Sequence, residues 1–131
     1  MSHANPAEIL VVEDEASVRQ LMARTLARYG LAPLEADNAS QGLALFQTHR
    51  ESVVLAIIDM VMPGMSGLDL AAQLQRERPG LRILYISGYV ESVAMSVIGH
   101  QSPQSVLLKP FTPEDLIGRV RYLIAPAVPS R

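Results

Sequence analysis

Short apolar runs that each end in polar residues constrain the fold of this 131-residue chain more than any other feature. The four strongest runs are ILVV at 9–12, VVLAII at 53–58, RILYI at 82–86 and SVLL at 105–108. They are continuous rather than alternating and rich in β-branched residues, which is typical of strands buried on both faces of a parallel sheet. A weaker run at 31–36 contains Pro33, and because proline cannot donate to a ladder we expect this strand at an edge.

Segments with helical spacing separate these runs. In the first, apolar residues recur with a helical period from Val18 to Leu26, which leaves Arg19 on another face. Asn38, Ser66 and Thr112 are placed to cap three further helices, and a less regular segment at 91–100 predicts one more. Strand and helix therefore alternate five times. This order predicts an α/β fold with a parallel sheet, helices on both faces and right-handed crossovers.

The composition limits the domain count and the class of function. With 49% hydrophobic residues the chain can build one core, which we expect at 8–124 between an N-terminal extension at 1–7 and a flexible tail at 125–131. A net charge of -2 argues against general binding to nucleic acid or anionic lipid. The absence of cysteine excludes disulfides and thiolate metal sites. No apolar run resembles a membrane span or a signal peptide, so we expect a soluble, cytoplasmic protein.

Polar side chains follow the strands at the points where the strands end. Glu13 and Asp14 follow the first run, Asp59 follows the run at 53–58, Ser87 the run at 82–86 and Lys109 the last. Taken singly, these are ordinary solvated loop charges or turn residues. In an open parallel sheet, however, the carboxyl ends of the strands form the ligand-binding edge. A lone acid at the end of a buried strand therefore either marks the exit of the strand into water or has partners from elsewhere in the chain.

Carboxylates gathered at one edge indicate a cation site. They would repel one another and raise each other's pKa unless a cation neutralised them. Oxygen ligands without histidine or cysteine favour Mg²⁺, and Mg²⁺ in turn suggests phosphate chemistry. One carboxylate could then attack phosphorus and form an acyl phosphate. Asp59 is placed for that role, with Lys109 as the fixed cation and the Ser87 hydroxyl as a donor to a phosphoryl oxygen.

Together these motifs resemble the receiver domain of two-component response regulators, over nearly the whole chain. VVEDE resembles the acidic pair of that family, IIDMVMPGMSG its phosphoacceptor strand and turn, ISGY its hydroxyl-bearing loop, and LLKPF its lysine with the following proline. The resemblance implies a flavodoxin-like (βα)5 fold with strand order 2-1-3-4-5. That order places the strand containing Pro33 at an edge, as its composition also requires.

The resemblance assigns roles to the acidic residues. Asp59 would accept a phosphoryl group from a phosphohistidine on a sensor histidine kinase or a histidine phosphotransfer protein. Asp14, Asp59 and the backbone carbonyl of Val61 would bind Mg²⁺ directly, and Glu13 would act through water. Such a bacterial phosphoprotein is a switch in a phosphorelay rather than a general enzyme, because it catalyses only its own phosphotransfer and autodephosphorylation.

Other positions would hold the phosphoryl group and transmit the signal. Ser87 and Lys109 would contact phosphoryl oxygens, and the Lys109–Pro110 peptide would be cis. The family usually has an aromatic residue three positions before the lysine, and its side chain reorients on phosphorylation. This chain has Val106 there, so we expect phosphorylation to be transmitted in another way. Tyr89 could report phosphorylation instead, or it could simply be a half-buried tyrosine lining its loop.

The resemblance also describes the partners. Phosphorylation would change a surface made by the predicted helix at 91–100, the strand at 105–108 and the helix after Thr112. That surface would bind a downstream protein or an output domain absent from this chain, and it is the place for a possible homodimer. Direct nucleic-acid binding and membrane insertion are not expected. ISGY with LLKPFTPEDL further resembles receivers attached to hybrid sensor kinases.

Three alternatives belong to other functional classes. A flavin carrier shares the architecture, but the acids at 13–15 would repel its phosphate. An aspartyl phosphatase would need a second acid two residues after Asp59, and Val61 occupies that position. The third alternative is a degenerate receiver that acts as a protein-interaction module without phosphorylation.

Overall fold

The sheet of the computed structural model, which describes residues 6–88 and 105–125, contains five parallel strands. The strands are β1 (Glu8–Val12), β2 (Ala32–Ala36), β3 (Val53–Asp59), β4 (Arg82–Ser87) and β5 (Val106–Leu108). Their spatial order is β2-β1-β3-β4-β5, and all neighbouring pairs are parallel. The predicted flavodoxin-like fold is therefore confirmed, and the strand containing Pro33 lies at an edge as its sequence required.

Helices cover both faces of the sheet. Those in the described part of the chain are α1 (Ala16–Arg28), α2 (Ala39–Thr48), α3 (Gly67–Glu77) and α4 (Pro113–Ile124). The helix predicted at 91–100 falls outside the described residues. No helix within the described ranges is both long and apolar enough to cross a membrane.

The continuous apolar runs are explained by two separate cores. Along β1, Ile9 and Val11 face the core formed with α1 and α4, whereas Leu10 and Val12 face the core formed with α2 and α3. All four side chains are fully buried. Since successive residues of a strand point to opposite faces, a strand covered on both sides needs an apolar residue at every position.

The helix ends are those that the sequence predicts. Asn38, Ser66 and Thr112 each accept a hydrogen bond from the backbone N–H three residues later, and Asp115 completes a reciprocal capping box with Thr112. Gly30 follows α1 with a φ of 83°, a conformation that glycine adopts without steric cost. These local signals fix the start of α2, α3 and α4 and the end of α1.

Backbone hydrogen bonds continue the sheet into the loops at its carboxyl edge. The N–H groups of Glu13, Met60 and Lys109 donate to the carbonyls of Ala36, Ile86 and Ser87 at 3.0, 3.0 and 2.9 Å. The first residue after each of these strands is thus tied to a neighbouring strand. The side chains that follow the strands therefore start from fixed positions.

Candidate functional site

Three carboxylates converge at the carboxyl edge of the sheet. Glu13, Asp14 and Asp59 each offer an oxygen atom, and these atoms lie within 4.8 Å of one another. They meet because β1 and β3 are neighbouring parallel strands, so that the loop after β1 lies beside the end of β3. Glu13 is fully buried and Asp59 is 6% exposed, while Asp14 is exposed. The acid at the end of β3 is therefore buried with partners from another strand.

Lys109 supplies a positive charge to this cluster. Its Nζ lies 3.4 Å from Glu13 Oε1 and 3.5 Å from Asp59 Oδ2. Burial alone would lower the pKa of Lys109, but the negative charges of Glu13 and Asp59 beside it outweigh burial, so that its pKa is raised. The Lys109–Pro110 peptide is cis, as predicted. One lysine facing three carboxylates leaves the cluster with excess negative charge.

The carboxyl group of Glu13 is incompletely satisfied. Its Oε2 accepts a hydrogen bond from the N–H of Glu15 at 3.1 Å, whereas its Oε1 is a buried oxygen for which no hydrogen bond exists among the described residues. Burial first, and then the nearby carboxylate of Asp59, raise the pKa of Glu13 to about 7, although the hydrogen bond from Glu15 N–H and the charge of Lys109 act in the opposite direction. A buried acceptor without a hydrogen bond is costly, and the contact described for this oxygen is its ion pair with Lys109 Nζ at 3.4 Å. The oxygen-only donor set and this buried oxygen without a hydrogen bond both fit a hard divalent cation.

The raised pKa of Glu13 predicts how stability depends on pH in the metal-free protein. The native state holds the Glu13 proton more tightly than the unfolded state does. This contribution is therefore fully present below the ordinary value of 4.5 and is lost as the pH rises through about 7. Melting temperatures in EDTA across this range should fall more steeply for the wild type than for Glu13→Gln, which cannot titrate. Parallel melting profiles for the two proteins would contradict the assignment.

The Asp59 carboxylate is oriented by its own loop and is open to solvent on one side. The N–H of Val61 donates to Asp59 Oδ1 at 3.1 Å. A cavity of about 440 Å³ extends over the carboxylates and is lined also by Glu15, Val61, Gly88 and Lys109. The cavity is large enough for a phosphoryl group. The arrangement thus offers an oriented carboxylate, a fixed cation and room for a small anion above both.

Ser87 ends the strand next to Asp59. Its side chain is fully buried, and the preceding residue of β4, Ile86, is the register partner of Asp59 on β3. The Ser87 hydroxyl donates to the carbonyl of Gly88 at 3.0 Å, so it is directed at the backbone of its own loop. The structure thus brings Ser87 to the same edge as the acids, with its hydroxyl engaged elsewhere.

Two positions bear on how phosphorylation would be reported, Val106 and Tyr89, and the first lies within the described residues. Val106 is half-buried, pairs with Tyr85 across β4 and β5, and packs against the core on the α2 and α3 side. Burial raises the pKa of Tyr85. Tyr89, the candidate reporter, falls outside the described residues.

Sequence reasoning missed two contacts that shape the site. Arg19 Nη1 donates to the backbone carbonyl of Glu13 at 2.9 Å, although the helical period had placed Arg19 only on a face away from the core. The sequence signal that could have indicated this contact is the position of Arg19 in the first helical turn after the acidic loop. Gly67, at the start of α3, lies so close to β3 that an added Cβ would be 2.3 Å from the carbonyl oxygen of Asp59. No local pattern indicated this approach.

Comparisons with known proteins agree with this geometry. Residues 9–121 match the family model of the response regulator receiver domain. The chain is 31% identical over 125 residues to the transcriptional regulatory protein ResD of Bacillus subtilis, covering 95% of this chain and 50% of that protein. It is 29% identical over 118 residues to the sensor kinase CckA of Brucella abortus, covering 90% of this chain and 12% of the kinase. The chain therefore spans about half the length of the first relative and a small part of the second.

A solved structure is similar over almost the entire fold. The response regulator receiver domain protein from Clostridium thermocellum has a TM-score of 0.81 and 26% sequence identity, covering 92% of this chain and 96% of that chain.

Proposed function

The chain belongs to the family of response regulator receiver domains, and from this we propose that it is a phosphorylation switch in which Asp59 accepts the phosphoryl group. The observation that carries the proposal is the position of Asp59. It is a buried carboxylate at the floor of an open cavity, within ligand distance of Glu13 and Asp14 and 3.5 Å from Lys109 Nζ. A carboxylate that only forms a turn would remain in solvent, because burying it beside two other carboxylates costs free energy.

The proposed reaction transfers a phosphoryl group from a phosphohistidine of a partner protein. A carboxylate oxygen of Asp59 attacks phosphorus, the new P–O bond forms, and the P–N bond to the imidazole breaks with its electron pair remaining on nitrogen. Val61 supports the reaction by holding Oδ1 through its N–H at 3.1 Å, which fixes the rotation of the carboxylate. The donor is a sensor histidine kinase or a histidine phosphotransfer protein.

The acidic cluster fits Mg²⁺, with Asp14, Asp59 and the Val61 carbonyl as direct ligands and Glu13 acting through water. When bound, the ion would neutralise the carboxylates and the charge on the transferring phosphoryl oxygens. The oxygen-only donor set and the buried Glu13 Oε1, which has no hydrogen bond, support this assignment.

Lys109 and Ser87 are proposed to hold the transferred group. Lys109 Nζ, which lies between Glu13 and Asp59, would turn its charge toward a phosphoryl oxygen. The Ser87 hydroxyl would exchange its bond to Gly88 for another phosphoryl oxygen. These exchanges would shift the loops after β4 and β5, which is how the state of Asp59 would reach a binding surface. With Val106 at the usual aromatic position, that shift proceeds without rotation of a ring there.

The test is phosphorylation by a small donor. Protein incubated with acetyl phosphate and Mg²⁺ should gain one phosphoryl group by intact mass, and protein incubated with EDTA should gain almost none. A wild type that gains nothing would indicate a degenerate receiver that binds partners without phosphorylation. Equal incorporation with and without Mg²⁺ would remove the metal from the proposal.

A further inference from the structure

Arg19 makes a contact that connects helix α1 to the acidic loop. Its guanidinium donates through Nη1 to the carbonyl of Glu13 at 2.9 Å and lies with Nε 3.4 Å from Glu35 Oε1 on β2. The Arg19 side chain is 16% exposed, in contrast to 42% for that of Glu35. A largely buried guanidinium that bridges two elements is ordered before any ligand arrives.

This contact completes the restraint of the Glu13 backbone. The N–H of Glu13 donates to the carbonyl of Ala36 at 3.0 Å, and the carbonyl of Glu13 receives Arg19. The Glu13 side chain in turn accepts from the N–H of Glu15. With its N–H and its carbonyl both held, Glu13 has a fixed backbone, so the side chains of Glu13 and Asp14 start from fixed positions.

On the basis of the proposed function, we propose that Arg19 is a positioning residue for the metal site. It holds the Glu13–Asp14 peptide so that the two carboxylates are already spaced for a cation, which lowers the cost of ordering them on binding. Arginine suits this role because its forked guanidinium can donate to the Glu13 carbonyl through one nitrogen and pair with the Glu35 carboxylate through another. A lysine ammonium is a point charge and lacks this fork. Outer partners that orient metal ligands commonly contribute about ten- to a hundredfold to metal affinity.

The test measures Mg²⁺ affinity by calorimetry, without a phosphodonor, on Arg19→Met and on Arg24→Met. The second variant removes the same charge from an exposed position of the same helix. Arg19→Met should weaken Mg²⁺ binding about tenfold, Arg24→Met should change it less than about twofold, and Arg19→Lys should fall between Arg19→Met and the wild type. At saturating Mg²⁺, Arg19→Met should still reach the phosphorylation level of the wild type, because Arg19 acts on the ligands and not on the phosphoryl group.

The possible outcomes separate this role from the proposed function. If the wild type binds Mg²⁺ and Arg19→Met binds it equally well, the role of Arg19 is refuted while the switch stands. If the wild type binds no Mg²⁺, the metal site and the role of Arg19 are both refuted. Equal losses in Arg19→Met and Arg24→Met would show a general charge effect and also overturn the proposal. If Arg19→Met does not fold, Arg19→Lys is the deciding variant. A wild-type Mg²⁺ affinity in Arg19→Lys would refute the proposal that the forked guanidinium positions the metal ligands.

Discussion

Replacing Asp59 with asparagine is expected to abolish phosphoryl incorporation from acetyl phosphate in the presence of Mg²⁺. The amide has nearly the shape of the carboxylate, so it can still fill the buried position beside Val61 and Lys109. It lacks the anionic oxygen that attacks phosphorus, and it removes one of the three charges that draw a cation to the cluster. Intact mass should therefore show incorporation at the level of the unreacted control.

A matched variant isolates this effect from a general loss of acid. Asp69→Asn makes the same chemical change at an exposed position in the first turn of α3, outside the acidic cluster. It should take up phosphoryl groups as the wild type does. Incorporation retained in Asp59→Asn, or lost equally in Asp69→Asn, would contradict the role of Asp59.

Gly67→Ala is expected to be the most destabilising single-methyl change near the site. A Cβ at this position would lie 2.3 Å from the Asp59 carbonyl oxygen and 2.8 Å from the Met60 Cα, both of which belong to the backbone and cannot rotate away. Overpacking typically costs about 1 to 3 kcal/mol, and a clash with backbone belongs at the upper end. At about 3 kcal/mol the melting temperature of a domain of this size should fall by roughly 10 °C.

Gly118 provides the matched control for this substitution. It lies in α4, is exposed, and an added Cβ there would have no heavy atom within 4 Å. Gly118→Ala should raise the free energy of unfolding by about 0.5 to 1 kcal/mol, because alanine loses less backbone entropy in a helix than glycine does. A Gly67→Ala protein that melts with or above the wild type would show that α3 does not rest against the end of β3 as described.

Much of the fold could be predicted because its signals are local. The buried run that ends at Asp59 required cover on both faces, and Pro33 required an edge. Both requirements are met in the strand order β2-β1-β3-β4-β5. The caps at Asn38, Ser66 and Thr112 depend on residues three positions away and were correct for the same reason.

The parts of the site that the sequence did not predict depend on packing between elements. Glu13 looked like one residue of a solvated acidic loop, yet it is fully buried beneath Lys109. The apolar period of α1 separates core from non-core positions. It does not predict that Arg19, a non-core residue, donates a hydrogen bond to the Glu13 carbonyl. Likewise, the approach of Gly67 to Asp59 depends on how α3 is seated against β3, which no local pattern specifies.

The most direct test of the central claim is to locate the phosphoryl group on the chain. Protein treated with acetyl phosphate and Mg²⁺ is reduced with borohydride, which converts an aspartyl phosphate into homoserine, and its peptides are then sequenced by mass spectrometry. We expect homoserine at Asp59 in the Mg²⁺ sample and unmodified aspartate there in the EDTA sample. Homoserine at Asp14, or phosphate found only on a hydroxyl side chain such as Ser87, would contradict the assignment of Asp59 as the acceptor.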